Sequence, residues 1–378
     1  MAGIVPSRRV RGTPFTAGVQ AAGAKAYTVY NHMLLPSYFE SYEADYRHLK
    51  EHVQVWDVAV ERQVSIKGPD ALRLMKLMSP RDMDRMADDQ CYYVPICDNN
   101  GGMLNDPVAI KLAQDHYWLS LADGDLLQYA LGLAIASKMD VDIVEPDVSP
   151  LAVQGPKADE LMSRVFGDDV RDIRFFRYKR MAFMDTEFVV ARSGWSKQGG
   201  FEIYVDGTQY GMPLWDALMA AGAEFGLKPF GIRAMDAMRL EKSYRLVGTE
   251  LSIEYAALAS GLHRFVHLNK GDFKGQRQLA EWQERGFANA MVTLEVHDTT
   301  DADAIGGNPI MTEDGTVIGR ATSGGYGFRL EKSLALAMVR PDLATPGTKL
   351  MIDILDQRLP VTVLEDSPFD PDNARLRA

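Results

Sequence analysis

Val64-Ser65-Ile66-Lys67-Gly68-Pro69-Asp70-Ala71-Leu72 is echoed later in the chain by Leu151-Ala152-Val153-Gln154-Gly155-Pro156-Lys157-Ala158-Asp159. In each copy an alternating apolar run reads as a strand, Gly closes it, and Pro falls at the first helical position, where a missing N–H costs nothing. Each copy therefore predicts strand, tight turn, helix. Two such units point to a duplicated α+β body rather than a doubly wound nucleotide-binding sheet. The chain also lacks a Gly-x-Gly-x-x-Gly or Walker-type phosphate loop, which argues against nicotinamide and ATP chemistry.

Between the copies lies Tyr92-Tyr93-Val94-Pro95-Ile96-Cys97-Asp98-Asn99-Asn100-Gly101-Gly102-Met103-Leu104-Asn105-Asp106-Pro107-Val108-Ala109-Ile110. Asp98 to Gly102 is turn chemistry, because Asn, Asp and Gly admit left-handed backbone. Val108, Ile110 and Leu112 alternate as a half-buried strand. Pro107 cannot donate a ladder hydrogen bond, so the strand begins after it and Asp106 is left at the hairpin mouth. Tyr92, Tyr93, Tyr117 and Trp118 would surround the same mouth. Read alone, the stretch also fits an ordinary surface hairpin.

Upstream, 27–35 is extended and stopped by Pro36, a charged helix covers 42–52, and strands cover 53–58 and 62–67. Downstream come a helix over 123–137 and a strand pair over 182–191. Arg192-Ser193-Gly194-Trp195-Ser196-Lys197-Gln198-Gly199-Gly200 then forms a loop feeding the alternating strand Phe201 to Val205. Trp195, beside glycines, is either a ligand stacking surface or a plug on another domain. Helices follow over 213–225 and 228–242, the second with core-like Met and Leu spacing. From Phe287 onward, short alternating runs separated by turn residues predict an all-β barrel or sandwich.

At 378 residues the chain has room for two or three domains. Its net charge of -11 argues against a nucleic-acid surface. Only Ser7 to Arg11 and Arg174 to Arg180 cluster basic residues. Cys91 and Cys97 make no disulfide framework, and no Cys/His spacing suggests zinc. The longest apolar run, near 126–136, is too short to span a bilayer, and the expected setting is cytoplasmic, with no membrane partner. The available chemistry is one carboxylate, several aromatics and Gly-rich loops, without a metal set, a catalytic Cys or a Ser-His-Asp arrangement; His263 and His267 read as structural. Such tools suit a reaction whose reactants supply the reactivity while the protein orients them and handles a proton. Group transfer from a cationic donor to a flat heterocycle fits.

Asn100 to Asp106, Gly194-Trp195-Ser196 with Gly200-Phe201-Glu202-Ile203, Met238-Arg239-Leu240-Glu241, Lys270-Gly271-Asp272-Phe273-Lys274-Gly275 and Thr322-Ser323-Gly324-Gly325-Tyr326 resemble, in order, the motifs of the glycine-cleavage T-protein family. The resemblance covers nearly the whole chain. It implies a tetrahydrofolate-dependent enzyme with a three-domain cloverleaf: 1–50 with 146–275 as the folate-binding domain, 51–145 as a second α+β domain, and 276–378 as a C-terminal β-barrel. Within the family, Tyr27 to Pro36, Val55-Trp56-Asp57-Val58 with Arg62-Gln63-Val64, and Gly194 to Gly200 resemble the branch that demethylates dimethylsulfoniopropionate. From about Gly231 the chain is more similar to the folate domains of dimethylglycine and sarcosine dehydrogenases.

Carried over by position, the resemblance makes Asp106 the catalytic carboxylate, with Asn105 where an acidic residue is usual. It assigns Tyr93, Trp118, Ser120, Trp195, Glu202 and Arg233 to the folate, Arg233 standing in for an arginine replaced by Met235. Trp195, Tyr204 and Tyr93 would hold the donor's cation by ring faces, each contact contributing roughly 0.5 to 2 kcal/mol. Arg9, Arg192 and Lys197 are the candidates for its carboxylate. The implied reaction is methyl transfer from dimethylsulfoniopropionate to N5 of tetrahydrofolate. The alternatives are an N-methyl donor such as dimethylglycine or a betaine, and a non-catalytic folate-binding protein. A homodimer is allowed.

Overall fold

The structure, a computed structural model, describes residues 9–299 and 301–374, so Ser7 and Arg8 of the first basic cluster lie outside the described residues. Three β-centred bodies, each with its own apolar core, account for most of the chain. The first is a six-stranded sheet in the order Tyr178–Phe183, Thr186–Ala191, Gly200–Asp206, Val148–Gln154, Gln54–Asp57, Lys228–Pro229. The second is a five-stranded sheet in the order Asp142–Val144, Gln63–Lys67, His116–Ser120, Val108–Ala113, Cys91–Tyr93. The third closes completely as a barrel: Ala290–Val296, Lys332–Val339, Val317–Gly327, Pro309–Met311, Lys349–Ile354, Gln357–Leu364. Of barrel and sandwich, the chain takes the form that leaves no sheet edge unpaired.

The repeated motif is structural repetition as well. Gly68 and Gly155 both adopt left-handed backbone, at φ 135° and 121°. Ala71 N–H donates to Gly68 O and Ala158 N–H to Gly155 O, each at 3.0 Å. A Cβ on Gly155 would sit 2.3 Å from His52 O, so only glycine permits this approach. The prolines differ slightly from expectation. The helices run Ala71–Met78 and Ala158–Phe166, which puts Pro69 and Pro156 in the preceding turn rather than at the first helical position.

Three other boundaries move. Pro36 does not stop the early extended stretch: Ala26–Tyr30 and Met33–Tyr38 form a hairpin around Asn31 and His32, and Pro36 lies within its second strand. That ladder has only two strands, so an outward-facing position can go without an N–H. Gln54–Asp57 pairs with Leu151 to Gln154, so the crossing between the first two bodies comes after Asp57 rather than at residue 51. Lys228–Pro229 is a short parallel strand, and the helix expected over 228–242 occupies Ile232–Glu241. Met235, Met238 and Leu240 on that helix are buried, as their spacing suggested.

Asp57 ends the strand Gln54–Asp57 almost fully buried, its Oδ2 accepting from Thr13 Oγ1 at 2.5 Å and its Oδ1 from Ala59 N–H at 3.1 Å. Burial outweighs these two bonds and pushes its pKa from 3.8 to about 7. A raised carboxyl keeps its proton to higher pH folded than unfolded, so this stability is full below about 4 and is lost as pH climbs toward 7. Asp57→Asn, which cannot ionise, is expected to lose less stability than the parent between pH 5 and 8, by on the order of 2 kcal/mol in paired urea unfolding curves. Equal losses in both proteins would contradict the burial argument.

Candidate active site

The hairpin carrying Asp106 is built as its residues dictate. Asp98 Oδ1 accepts from Asn100 N–H and Gly102 N–H, both at 2.8 Å, and Gly101 takes φ 77°. The strand after Pro107 begins at Val108, as expected for a residue that cannot donate. Asn105, fully buried, is a brace: its side chain accepts from Asp106 N–H and Ala122 N–H and donates to Ala122 O. Asp106 is thereby held half-buried, with Tyr93 O–H donating to its Oδ2 at 2.9 Å. Burial pushes the Asp106 pKa from 3.8 to about 7, against the Tyr93 hydrogen bond, which pulls it down.

Tyr93 is itself held. Its ring lies 4.7 Å from that of Phe265, and its carbonyl accepts from the Arg81 guanidinium, which stacks 3.3 Å from the centre of the Tyr92 ring.

Two further carboxylates lie nearby, Glu61 within reach of the charges of both Glu202 and Asp106. Glu202 accepts from Ser193 Oγ and is hydrogen-bonded to Tyr204. Glu61 accepts from Ser120 Oγ at 3.3 Å. Ser120 is the hub, because Gln63 Nε2 donates to it at 3.0 Å and Tyr204 also bonds it. Burial raises the pKa of both glutamates, and Glu61 is raised further by the charges of Glu202 and then Asp106. Tyr30 adjoins the same group, its hydroxyl raised by burial and by Glu61 and Asp106.

The structure therefore brings Asp106, Tyr93, Ser120, Glu202 and Tyr204 together, and adds Glu61, Gln63 and Tyr30, which the sequence reading did not single out. No local pattern marks Glu61, since an acid between two strands is ordinary turn composition. Tyr204 differs from its expected use: its ring is packed with Cys91, Ile110, Trp118 and Val148, and only its hydroxyl serves the polar network. Trp118 is buried in that same packing. Trp195 is half-buried and packs on the core of Trp56, Phe230 and Met235. Lys197 is only 2% exposed, with left-handed backbone, its Nζ over the Tyr244 ring. Desolvation and then Lys242 lower its pKa well below the usual amine range.

Arg233 stands apart on the outer face of its helix, 60% exposed, near Asp236 and Tyr42. Arg192 pairs with Asp159. A surface cleft of about 250 Å³ beside Arg11, Arg62 and Glu145, and another of about 340 Å³ beside Lys50, Arg171 and Arg192, do not include Asp106. No group of His, Cys, Asp and Glu among the described residues is arranged to hold a metal.

Residues 15–270 match the GCVT N-terminal domain and residues 289–370 the glycine cleavage T-protein C-terminal barrel domain. The chain is 58% identical over 369 residues to the dimethylsulfoniopropionate demethylase DmdA of Ruegeria pomeroyi, covering 97% of this chain and 99% of that protein. It is 28% identical to an aminomethyltransferase of Caldanaerobacter subterraneus, with 88% of each covered. The crystal structure of the glycine cleavage system aminomethyltransferase T from Bartonella henselae superposes with a TM-score of 0.86 at 20% identity, over 96% of this chain and 98% of that one.

Tyr93→Phe removes the bond that lowers the Asp106 pKa. The carboxyl midpoint is expected to rise above about 7 by roughly one pH unit, read by carbon-13 NMR of the side chain. An unchanged midpoint would show that the phenol does not tune the acid.

Proposed function

The chain belongs to the glycine cleavage T-protein family, and on that premise we propose that it moves a methyl group from dimethylsulfoniopropionate to N5 of tetrahydrofolate. The products are 5-methyltetrahydrofolate and 3-(methylthio)propanoate. The observation that carries this reading is the near full-length likeness to the Ruegeria demethylase. The site supports it: a proton-handling carboxylate, two more acids and a Trp-bearing loop.

The residues fit a reduced pterin, which presents N–H donors to carboxylates. Glu202, already oriented by Ser193 and Tyr204, suits the ring's donors, and Asp106 suits N5–H. Tetrahydrofolate supplies a nucleophilic amine nitrogen. The sulfonium carbon is already electrophilic, so the protein's part is alignment. In the transfer the carbon–sulfur bond breaks with its electron pair staying on sulfur, a carbon–nitrogen bond forms from the N5 lone pair, and the N5 proton leaves. Asp106, with its pKa near 7, is ionised enough at neutral pH to accept that proton.

For the donor we assign Trp195 to the sulfonium and Lys197 to the carboxylate. Among the described residues Lys197 makes no ion pair, and burial and then Lys242 disfavour its charged form, so an anionic ligand would act as its counter-ion. Both reactants are small water-soluble molecules. That suits a net charge of -11 and, among the described residues, the absence of any helix long and apolar enough to cross a membrane.

The test is anaerobic incubation with tetrahydrofolate and a donor panel, following 5-methyltetrahydrofolate by mass. Product is expected with dimethylsulfoniopropionate and not with dimethylglycine or glycine betaine; product only with an N-methyl donor would replace this reading. Asp106→Asn is expected to lower kcat about a hundredfold or more while tetrahydrofolate still binds. Unchanged turnover would remove Asp106 from the proton step.

A further inference from the structure

We propose that Glu61 is the residue that makes the site select a cationic methyl donor over its neutral demethylated product, its carboxylate acting as counter-ion to the donor's onium centre. The inference rests on the demethylase reading above and names a residue which that reading does not use.

Glu61 sits between the strands Gln54–Asp57 and Gln63–Lys67, where the chain passes from the first sheet to the second. Its side chain is half-buried. Ser120 Oγ donates to it, and the groups whose charge acts on it are Glu202 and Asp106, with Tyr30 facing it in turn. No cation is among them. The neighbouring Arg62 pairs through Nη1 with Glu145 at 2.9 Å.

A second feature points to a ligand. Gln63, 0% exposed, uses its Nε2 on Glu61 O and Ser120 Oγ, while its buried Oε1 has no hydrogen-bond partner. An unsatisfied acceptor and an uncompensated acid, two residues apart and joined through Ser120 Oγ, describe a place left for something cationic or hydrogen-bond donating.

Of the three acids, two have work. Asp106 carries the proton step, and Glu202 is tied by Ser193 and Tyr204. Glu61 accepts only from Ser120, so its remaining valence is electrostatic. Three carboxylates cannot all ionise in this enclosure without a compensating charge, and the cluster holds protons until one arrives. A sulfonium supplies that charge and lets Glu61 ionise. Methyl transfer then turns the sulfonium into a neutral thioether, and the attraction vanishes with the reaction. Product release is thereby coupled to chemistry rather than to a separate motion.

The test compares Glu61→Gln and Glu61→Asp with the parent, measuring by calorimetry the binding of dimethylsulfoniopropionate and of 3-(methylthio)propanoate, and the turnover of the former. These ligands share the carboxylate and differ at sulfur in charge and one methyl. The parent is expected to prefer the sulfonium, releasing a proton as it binds. E61Q is expected to bind the sulfonium at least tenfold more weakly, to bind the thioether as before, and to release no proton. E61D, which keeps the charge, retains the preference. Tetrahydrofolate affinity, unchanged in E61Q, reports that the site is still folded. If the parent turns over the sulfonium but E61Q keeps the full preference, or loses both ligands and folate alike, the assignment of Glu61 is overturned while the demethylase reading stands. If the parent neither binds nor turns over the sulfonium, both fall.

Discussion

One buried ion pair ties the parts of this molecule that must meet at the site. Arg239, on the helix Ile232–Glu241, reaches Glu250 at 3.3 Å and Ser323 Oγ at 2.9 Å, and both charged side chains are almost wholly buried. Glu250 lies in the long connection to the barrel and also accepts from Leu246 N–H, Thr249, Thr322 and Ser323. Helix, connection and barrel therefore share one polar knot. Such a pair contributes little against an apolar replacement, since desolvation consumes most of the Coulombic gain, but removing one partner strands the other at a cost of about 3 to 5 kcal/mol. Its effect is to specify geometry. The connection it fastens is the one whose Ile253 backbone closes on Gly102, where a Cβ would meet Ile253 O at 2.4 Å, and whose Phe265 stacks on Tyr93. The barrel, remote from Asp106 in sequence, thus takes part in holding the residue that donates to it.

The same knot explains two of the sequence motifs. Met238-Arg239-Leu240-Glu241 and Thr322-Ser323-Gly324-Gly325-Tyr326 are the two faces of the joint. Glu241 completes it by accepting from Tyr46 O–H and from Arg329 N–H.

Much of the fold was legible because it rests on short-range rules. The repeated Gly-Pro turn, the Asp98 to Gly102 hairpin, the strand starting after Pro107 and the run of short C-terminal strands each follow from local backbone preference and period. Barrel closure came from the family resemblance and not from the strand pattern, because alternation specifies which face is buried and not whether the last strand meets the first. Pro36 misled because a two-stranded ladder tolerates what a central strand does not. At the site, Asp106, Tyr93, Ser120 and Glu202 were singled out through motif and resemblance, and the fold places them near one another. Glu61 and Gln63 were not, since their importance lies in which strand tops face each other across two sheets. Tyr204 was found for the wrong atom: period 2 places it inward, but only the packing shows that the ring is core and the hydroxyl is the working group.

Gathering three acids at the junction of separate bodies is unfavourable on its own terms, and the fold spreads that burden. Each comes from a different segment, Asp106 just before the strand Val108–Ala113, Glu61 between two strands and Glu202 within the strand Gly200–Asp206, and each has its own hydroxyl donor: Tyr93 for Asp106, Ser120 for Glu61, Ser193 for Glu202. Neutral donors partly satisfy each acid without supplying an opposite charge, so the compensating charge is left for the ligand to bring. An arginine in their place would have stabilised the empty site and competed with a cationic donor. The surrounding arginines are engaged elsewhere: Arg62 with Glu145, Arg81 on Tyr92 and the Tyr93 carbonyl, Arg245 with Asp366, which leaves Lys197 as the cation assigned to the donor's carboxylate. A site stabilised by hydroxyls and left short of positive charge suits a reaction that takes in a cation and releases a neutral thioether.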